Sequence, residues 1–305
     1  MIEYFDFTTV EEMFDFFSPW GMDPSLSGYV FRGHSQQSYE LVPSALRKDN
    51  IDNFWEGCSL GRPGNNQHEW LDWQFKAEFI FLREFYRLAD QKGLQVPHSN
   101  IFRNNLAAIH DHSYLLGIAD QRVWIPRDLS EVAALAQHYG IPTRLLDWTY
   151  DIYVALYFAM IGAIGKDGKL EIWAIAQDTI SLINTSTQRT NIEFITPHYA
   201  GNPNLNAQKG LFTHWPIVLP SREESIQHFI NKKVLAVDRR PLDVLLTQTY
   251  PNPDNTNFFK RFTLPCSEAK KGCVILNKLG YDTSRIFPGY SGIAKQILTQ
   301  NKYLV

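Results

Sequence analysis

Several things are scarce in this chain of 305 residues. There are only three cysteines, at positions 58, 266 and 273. An odd count at these spacings fits neither a disulfide framework nor a zinc site, so reduced structural thiols are expected. No stretch approaches the roughly 18 consecutive apolar residues of a membrane-spanning helix. The opening segment MIEYFDFTTVEEMFDFF carries acids where a signal peptide carries basic residues, so a cytoplasmic protein with no membrane partner is expected. Neither sign of charge dominates: 29 basic residues face 32 acidic ones. That balance gives no global field for a polyanion, which argues against strong duplex nucleic-acid binding. Glycine-rich phosphate loops, the Gly-x-Gly-x-x-Gly fingerprint and the Gly-x-Ser-x-Gly elbow are all missing, which weighs against P-loop ATPases, Rossmann oxidoreductases and α/β hydrolases. The nine histidines are scattered; His110 and His112 form the one close pair, and no third ligand accompanies them, so no metal site is expected.

Aromatic residues, by contrast, are plentiful. Eight Trp, 14 Tyr and 20 Phe supply a large core, which excludes disorder over most of the length. Helical spacing of Val10, Met13, Phe14 and Phe17 after Thr8 and Thr9 predicts a capped amphipathic helix over 8–17. The glycine-bounded run GYVFRG at 28–33 predicts a buried strand ending on Arg32. Residues 50–67, rich in Gly and Asn, read as a surface loop. A long helix is expected over 68–94, stopped by Gly93, with helix continuing through 98–117. SEVAALAQHYG at 130–140 reads as a helix capped by Ser130, with a core face of Val132, Leu135, Ala136 and Tyr139 and a stop at Gly140. A short strand over 145–148 leads into a helix apolar on nearly every face, hence packed on both sides. Strands are expected at 169–176, 191–196 and 258–265, a pair of short extended pieces around Pro216 over 210–219, a helix at 221–230, and two terminal helices. The order has no βα repeat and no internal period, so the fold class is α+β. A single domain with a helical lobe over about 67–140, inserted after the first motif strand, is expected.

Three places concentrate polar groups with no evident local partner. Arg32 is presented from an apolar strand end beside Gly33, where backbone can approach a ligand closely. It suits an anion holder, and equally a partner for a buried Asp or a cap for carbonyls. QHYGIPTRLLDW gathers His138, Arg144, Asp147 and Trp148 within eleven residues; Arg144 and Asp147 are read either as site residues or as a structural pair. LNAQKGLFTHW places Gln208 and Lys209 at the mouth of a strand. These three segments are expected to converge on one site.

YVFRGHSQQSYELVPSALRK, LAQHYGIPTRLLDWTYDIYVALYFA, LNAQKGLF and RIFPGYSGIAKQI, in that order, resemble the landmarks of the FRG domain family, named for a Phe/Tyr-Arg-Gly motif. The resemblance spans about 28–295. Where the family often carries an Arg before the Gln of its third motif, this chain has Asn204, Leu205 and Asn206. An Arg at the end of a first strand, a short strand running at once into a helix, and a strand like LEIWAI also resemble, more weakly, ADP-ribosyltransferases. That resemblance implies a small mixed or antiparallel sheet core and NAD as a substrate, with no covalently bound cofactor. It further implies Arg32 in the NAD-holding position and Trp148 or Thr149 on the second strand. The catalytic Glu of those enzymes falls near Gln208, which carries no charge and cannot act as a base at neutral pH. Asp147 or Glu193 would then supply the carboxylate, or the site would bind without cleaving. The expected catalytic set is thus Arg32, Asp147 and Gln208, with Gly33, His138, Arg144, Trp148 and Thr149 contacting the ligand. The functional expectation is an NAD-dependent ADP-ribosyltransferase-like or NAD-cleaving enzyme, in the manner of a toxin or defence effector, acting on a nucleotide-like small molecule or a protein acceptor. The alternative is a non-catalytic nucleotide- or anion-binding module.

Overall fold

The computed structural model describes residues 2–21, 23–57, 69–104, 122–187, 189–200, 202–231, 233–251 and 256–304. Among the described residues nine strands run in chain order: β1 (Ile2–Asp6), β2 (Tyr29–His34), β3 (Val123–Trp124), β4 (Leu146–Thr149), β5 (Lys169–Ala176), β6 (Glu193–Ile195), β7 (Gly210–His214), β8 (Ile217–Val218) and β9 (Phe259–Pro265). With helices and strands mixed around an open and mostly antiparallel sheet, the fold is α+β. The chain divides into two compact units, one formed by 1–41, 147–213 and 243–305, the other by 42–146 and 214–242.

The first unit is built on a seven-stranded sheet of order β1-β9-β5-β2-β4-β7-β6. β5 pairs antiparallel with both β2 and β9, while β1 pairs parallel with β9. Strand alternation sorts its side chains. Phe31 of β2, Leu170, Ile172 and Ala174 of β5, and Phe262 and Leu264 of β9 belong to one buried apolar cluster. Against them lies the helix Ile152–Ala163, buried at Ile152, Val154, Ala155, Leu156, Tyr157, Ala159, Met160 and Ala163. The helices Val10–Phe17 and Ala269–Lys278 contribute Met13, Phe17, Cys273 and Leu276 to the same cluster, so the apolar helix is indeed packed on more than one side. A Cβ on Gly272 would lie 2.3 Å from Met160 Sδ, so glycine lets these two helices approach closely. The first helix begins as expected: Thr9 accepts from the Glu12 amide and Glu12 returns the bond to the Thr9 amide. Burial pushes the Cys273 thiol up to about 12, and the Cys266 thiol is raised by the same cause, so both are poor nucleophiles.

The second unit carries the helices Ile51–Gly57, Leu71–Gln91, Asn100–Arg103 and Arg127–His138, together with the β3–β8 pair. Several expectations are corrected here. Residues 51–57 form a helix, not a loop. The helix expected from Ser130 starts at Arg127, directly after Pro126, and Ser130 lies inside it donating to the Arg127 carbonyl. Tyr139 is 66% exposed and not part of the core face, which is made by Leu129, Val132, Ala133, Ala134 and Ala136. Of the helix expected over 98–117, Asn100–Arg103 is helical and 105–117, including His110 and His112, lies outside the described residues, as does Cys58. The buried face of Leu71–Gln91 includes Gln74, Glu78 and Arg83 among Phe75, Phe79, Leu82 and Tyr86. Among the described residues no helix is long and apolar enough to cross a membrane, and no three potential metal ligands cluster.

Candidate functional site

The two faces of β2 have different fates. Phe31 joins the apolar core, whereas Arg32 and His34 are set apart from it. Gly33 belongs with the core side: a Cβ there would stand 2.0 Å from the Ala155 carbonyl oxygen. Gly33 is therefore required by the close approach of the helix Ile152–Ala163 to the sheet, a packing role at the position expected to admit a ligand.

Opposite that core, sheet register aligns two rows of polar and aromatic side chains. Arg32 is the partner of Trp173, and Trp173 of Arg261; His34 is the partner of Glu171 in the next row. Glu171 is fully buried. Its Oε1 lies 3.1 Å from His34 Nδ1 and accepts from Trp173 Nε1 at 2.9 Å, while Oε2 accepts from Arg261 Nε. Arg261 also donates to the Gln37 carbonyl at 2.8 Å and stacks over Trp173, its guanidinium carbon 5.1 Å from the ring centroid. Hydrogen bonds to both carboxylate oxygens offset the cost of burying the group.

Arg32 is held at both ends of its fork. Nε donates to His34 Nε2 at 2.9 Å, and Nη1 donates to the Asp147 carbonyl at 2.8 Å and reaches the Asp147 carboxylate at 3.3 Å. Its side chain retains 14% exposure, against 59% for Asp147. The arrangement thus offers a half-enclosed, immobilised guanidinium beside a solvent-facing carboxylate. Asp147 comes into place because β4 lies directly next to β2, with Thr149 opposite Phe31.

The end of β4 also fixes the Gln208 turn. The Thr149 hydroxyl donates to the Gln208 carbonyl at 2.6 Å, the Tyr150 amide donates to the Lys209 carbonyl at 3.1 Å, and Lys209 Nζ lies 2.8 Å from Asp151 Oδ2. Lys209 adopts a left-handed φ of 45° to turn the chain into β7. Asp151 also caps the helix that follows, accepting from the Tyr153 amide at 3.1 Å, and accepts from the Tyr281 hydroxyl at 2.9 Å. Burial, reinforced by Asp151, pushes that phenol up to about 12. The Gln208 side-chain amide donates to the Ile286 carbonyl at 3.2 Å, and Trp148 Nε1 donates to Thr213 at 2.9 Å.

The structure therefore brings Arg32 to Asp147, and Thr149 to Gln208. Glu193 stands on β6, separated from β2 by β4 and β7. Reading Arg144 and Asp147 as a mutual pair is corrected: Arg144 is 4% exposed and its Nε donates to Glu78 at 2.7 Å, within the second unit, where Trp124 Nε1 and Gln74 also bind Glu78. His138 belongs to that unit as well, at the end of its helix. His34, Glu171, Trp173 and Arg261 were not among the expected site residues. A signal for them exists in the chain: KLEIWAIA and FFKRFTLP each place a charged residue at the centre of a strand otherwise suited to burial, and Arg32 and His34 are spaced to share one face of a strand.

Fold and site together define an α+β protein with an arginine mounted on a sheet face, bonded to a histidine that a buried acid holds and flanked by an exposed acid. Residues 27–167 match the FRG domain, so this segment of the chain carries an FRG domain. The matched segment contains β2, β4, Arg32 and Asp147 but ends before Glu171, Gln208 and Arg261, so LNAQKGLF and RIFPGYSGIAKQI lie beyond it. No curated protein and no solved structure matches the chain significantly.

Proposed function

We propose that the sheet face carrying Arg32 binds a nucleotide-like anionic ligand, with NAD as the candidate substrate. The observation that carries this reading is the immobilisation of Arg32. His34 and Asp147 hold its fork in one orientation while part of the side chain still meets solvent. A guanidinium already held in one orientation loses little rotamer freedom on binding a phosphate or hydroxyl oxygen.

A second reading, cleavage of NAD, is favoured by Asp147. Breaking the bond between nicotinamide and ribose builds positive charge on the sugar, and a carboxylate beside it lowers that barrier. Asp147 presents an exposed carboxylate 3.3 Å from the guanidinium, whereas Gln208 offers no charge. ADP-ribosyl transfer to a protein acceptor, as in a toxin or defence effector, would follow from the same cleavage.

Calorimetric titration with NAD, with nicotinamide release followed in the same solution, tests both. Heat without consumption supports binding alone. Turnover that Asp147→Asn abolishes supports cleavage. Absence of both heat and turnover with NAD, ADP-ribose and pyrophosphate overturns the reading of this face as an anion site.

A further inference from the structure

We infer that His34 is a positioning residue for Arg32, acting as a neutral imidazole with its proton on Nδ1, and that buried Glu171 sets this tautomer. The inference rests on the reading of Arg32 as a ligand holder for its functional meaning, but its geometry stands independently. Arginine Nε carries a hydrogen and accepts nothing. At 2.9 Å from it, His34 Nε2 must therefore be the acceptor, which leaves the ring proton on Nδ1, 3.1 Å from Glu171 Oε1. A doubly protonated ring would set two donors against each other at Nε2, so the neutral form is the one that fits.

The charged and titratable groups around the ring explain how this state is held. Arg32 lies on the same strand, Glu171 on β5 next to it, Arg261 on β9 beyond, and Tyr39 has its ring 6.1 Å away, edge-on. Arg261 binds Glu171 Oε2 while Trp173 shares Oε1 with His34, so the carboxylate is fixed in place and presents one oxygen to Nδ1. Orientation thus passes from β9 through Glu171 on β5 to His34 and then to Arg32 on β2. His34 is 5% exposed and Glu171 fully buried, so water does not substitute readily for either link.

The two halves of the imidazole can be separated by substitution. An Asn side chain reaches about as far as Nδ1, and a Gln side chain about as far as Nε2. His34→Asn should keep the donor to Glu171 and release Arg32; His34→Gln should keep an acceptor for Arg32 and strip a donor from Glu171. The measurements are thermal melting, NAD affinity by calorimetry, and the nitrogen-15 NMR signals of the His34 ring and of Arg32 Nε–H. The wild-type ring should show the pattern of a neutral Nδ1–H tautomer. His34→Asn should melt close to wild type, bind NAD roughly tenfold more weakly, as loss of one hydrogen bond to a charged group implies, and show faster exchange of Arg32 Nε–H. His34→Gln should melt lower yet bind NAD nearly as the wild type does when folded. If wild type binds no NAD, the ligand reading fails, and the NMR signals still decide the positioning role. An Nε2–H or doubly protonated wild-type ring, or an Arg32 Nε–H signal unmoved by His34→Asn, overturns the inference.

Discussion

Replacing Arg32 with lysine separates charge from geometry at the centre of the proposed site. The guanidinium joins two acceptors through different nitrogens, His34 Nε2 at 2.9 Å and the Asp147 carbonyl at 2.8 Å. A lysine ammonium is a single point on a flexible stem and cannot reproduce that fork. One acceptor is left without its donor, and His34, only 5% exposed, is poorly placed to recruit water. An under-satisfied buried group of this kind costs about 1–3 kcal/mol. The ion pair with Asp147, whose carboxylate is 59% exposed, contributes less than about 1 kcal/mol and is largely retained by lysine. Arg32→Lys is therefore expected to lose about 1–3 kcal/mol, lowering the melting temperature by several degrees at roughly 2–4 °C per kcal/mol. NAD affinity should fall about tenfold or more with loss of the oriented guanidinium. Thermal melting and calorimetric titration on the same preparation read both effects. A variant that melts lower but binds NAD as tightly as wild type when folded would refute the ligand role and leave Arg32 as a structural brace.

Three further substitutions probe packing and polar contacts within the individual units. Gly33→Ala drives a Cβ to within 2.0 Å of the Ala155 carbonyl, and because the obstacle is backbone the helix must move; a loss of about 3 kcal/mol or more is expected by denaturant unfolding, and a near-neutral effect would contradict the packing role. Arg144→Met removes the cation bonded directly to buried Glu78 and leaves it its Trp124 and Gln74 donors, and about 3–5 kcal/mol should be lost; a stability change under about 1 kcal/mol would remove that pair from the core account. Asp128 supplies the pH test: burial works to raise its carboxyl, but the Ser99 hydroxyl with the Ile101 and Asn100 amides together holds it below the usual aspartate value. A depressed folded value means that its stabilisation is complete above the unfolded pKa of about 3.9 and is lost as pH falls through the lower folded one. The stability gap between wild type and Asp128→Asn should accordingly be open at pH 7 and narrow at strongly acid pH, and a gap independent of pH contradicts the assignment.

What could be read from the sequence followed the strength of the local pattern. β2, β5 and the helix Ile152–Ala163 are legible because glycine boundaries, β-branched and aromatic runs and all-round apolarity leave little choice of partner. β1 gave no such signal: it is five residues long, carries Glu3 and Asp6, and becomes a strand by pairing at the sheet edge with β9, more than 250 residues away. The helix Ile51–Gly57 is hidden by the Gly and Asn content of the segment that follows it. At the site, Arg32 and Asp147 stand out as polar groups at the ends of apolar runs. The brace behind them does not, since His34, Glu171 and Arg261 come from three strands whose adjacency depends on sheet order. Closeness in sequence also misled at Arg144, which lies only three residues before Asp147 yet pairs with Glu78.

The most direct test of the central claim is a structure of the protein soaked with NAD. Phosphate or ribose oxygens within hydrogen-bonding distance of the Arg32 guanidinium, beside the Asp147 carboxylate, are the expected result. Ligand bound elsewhere, with none of its atoms within hydrogen-bonding distance of the Arg32 guanidinium, would contradict the assignment of this face as the binding site.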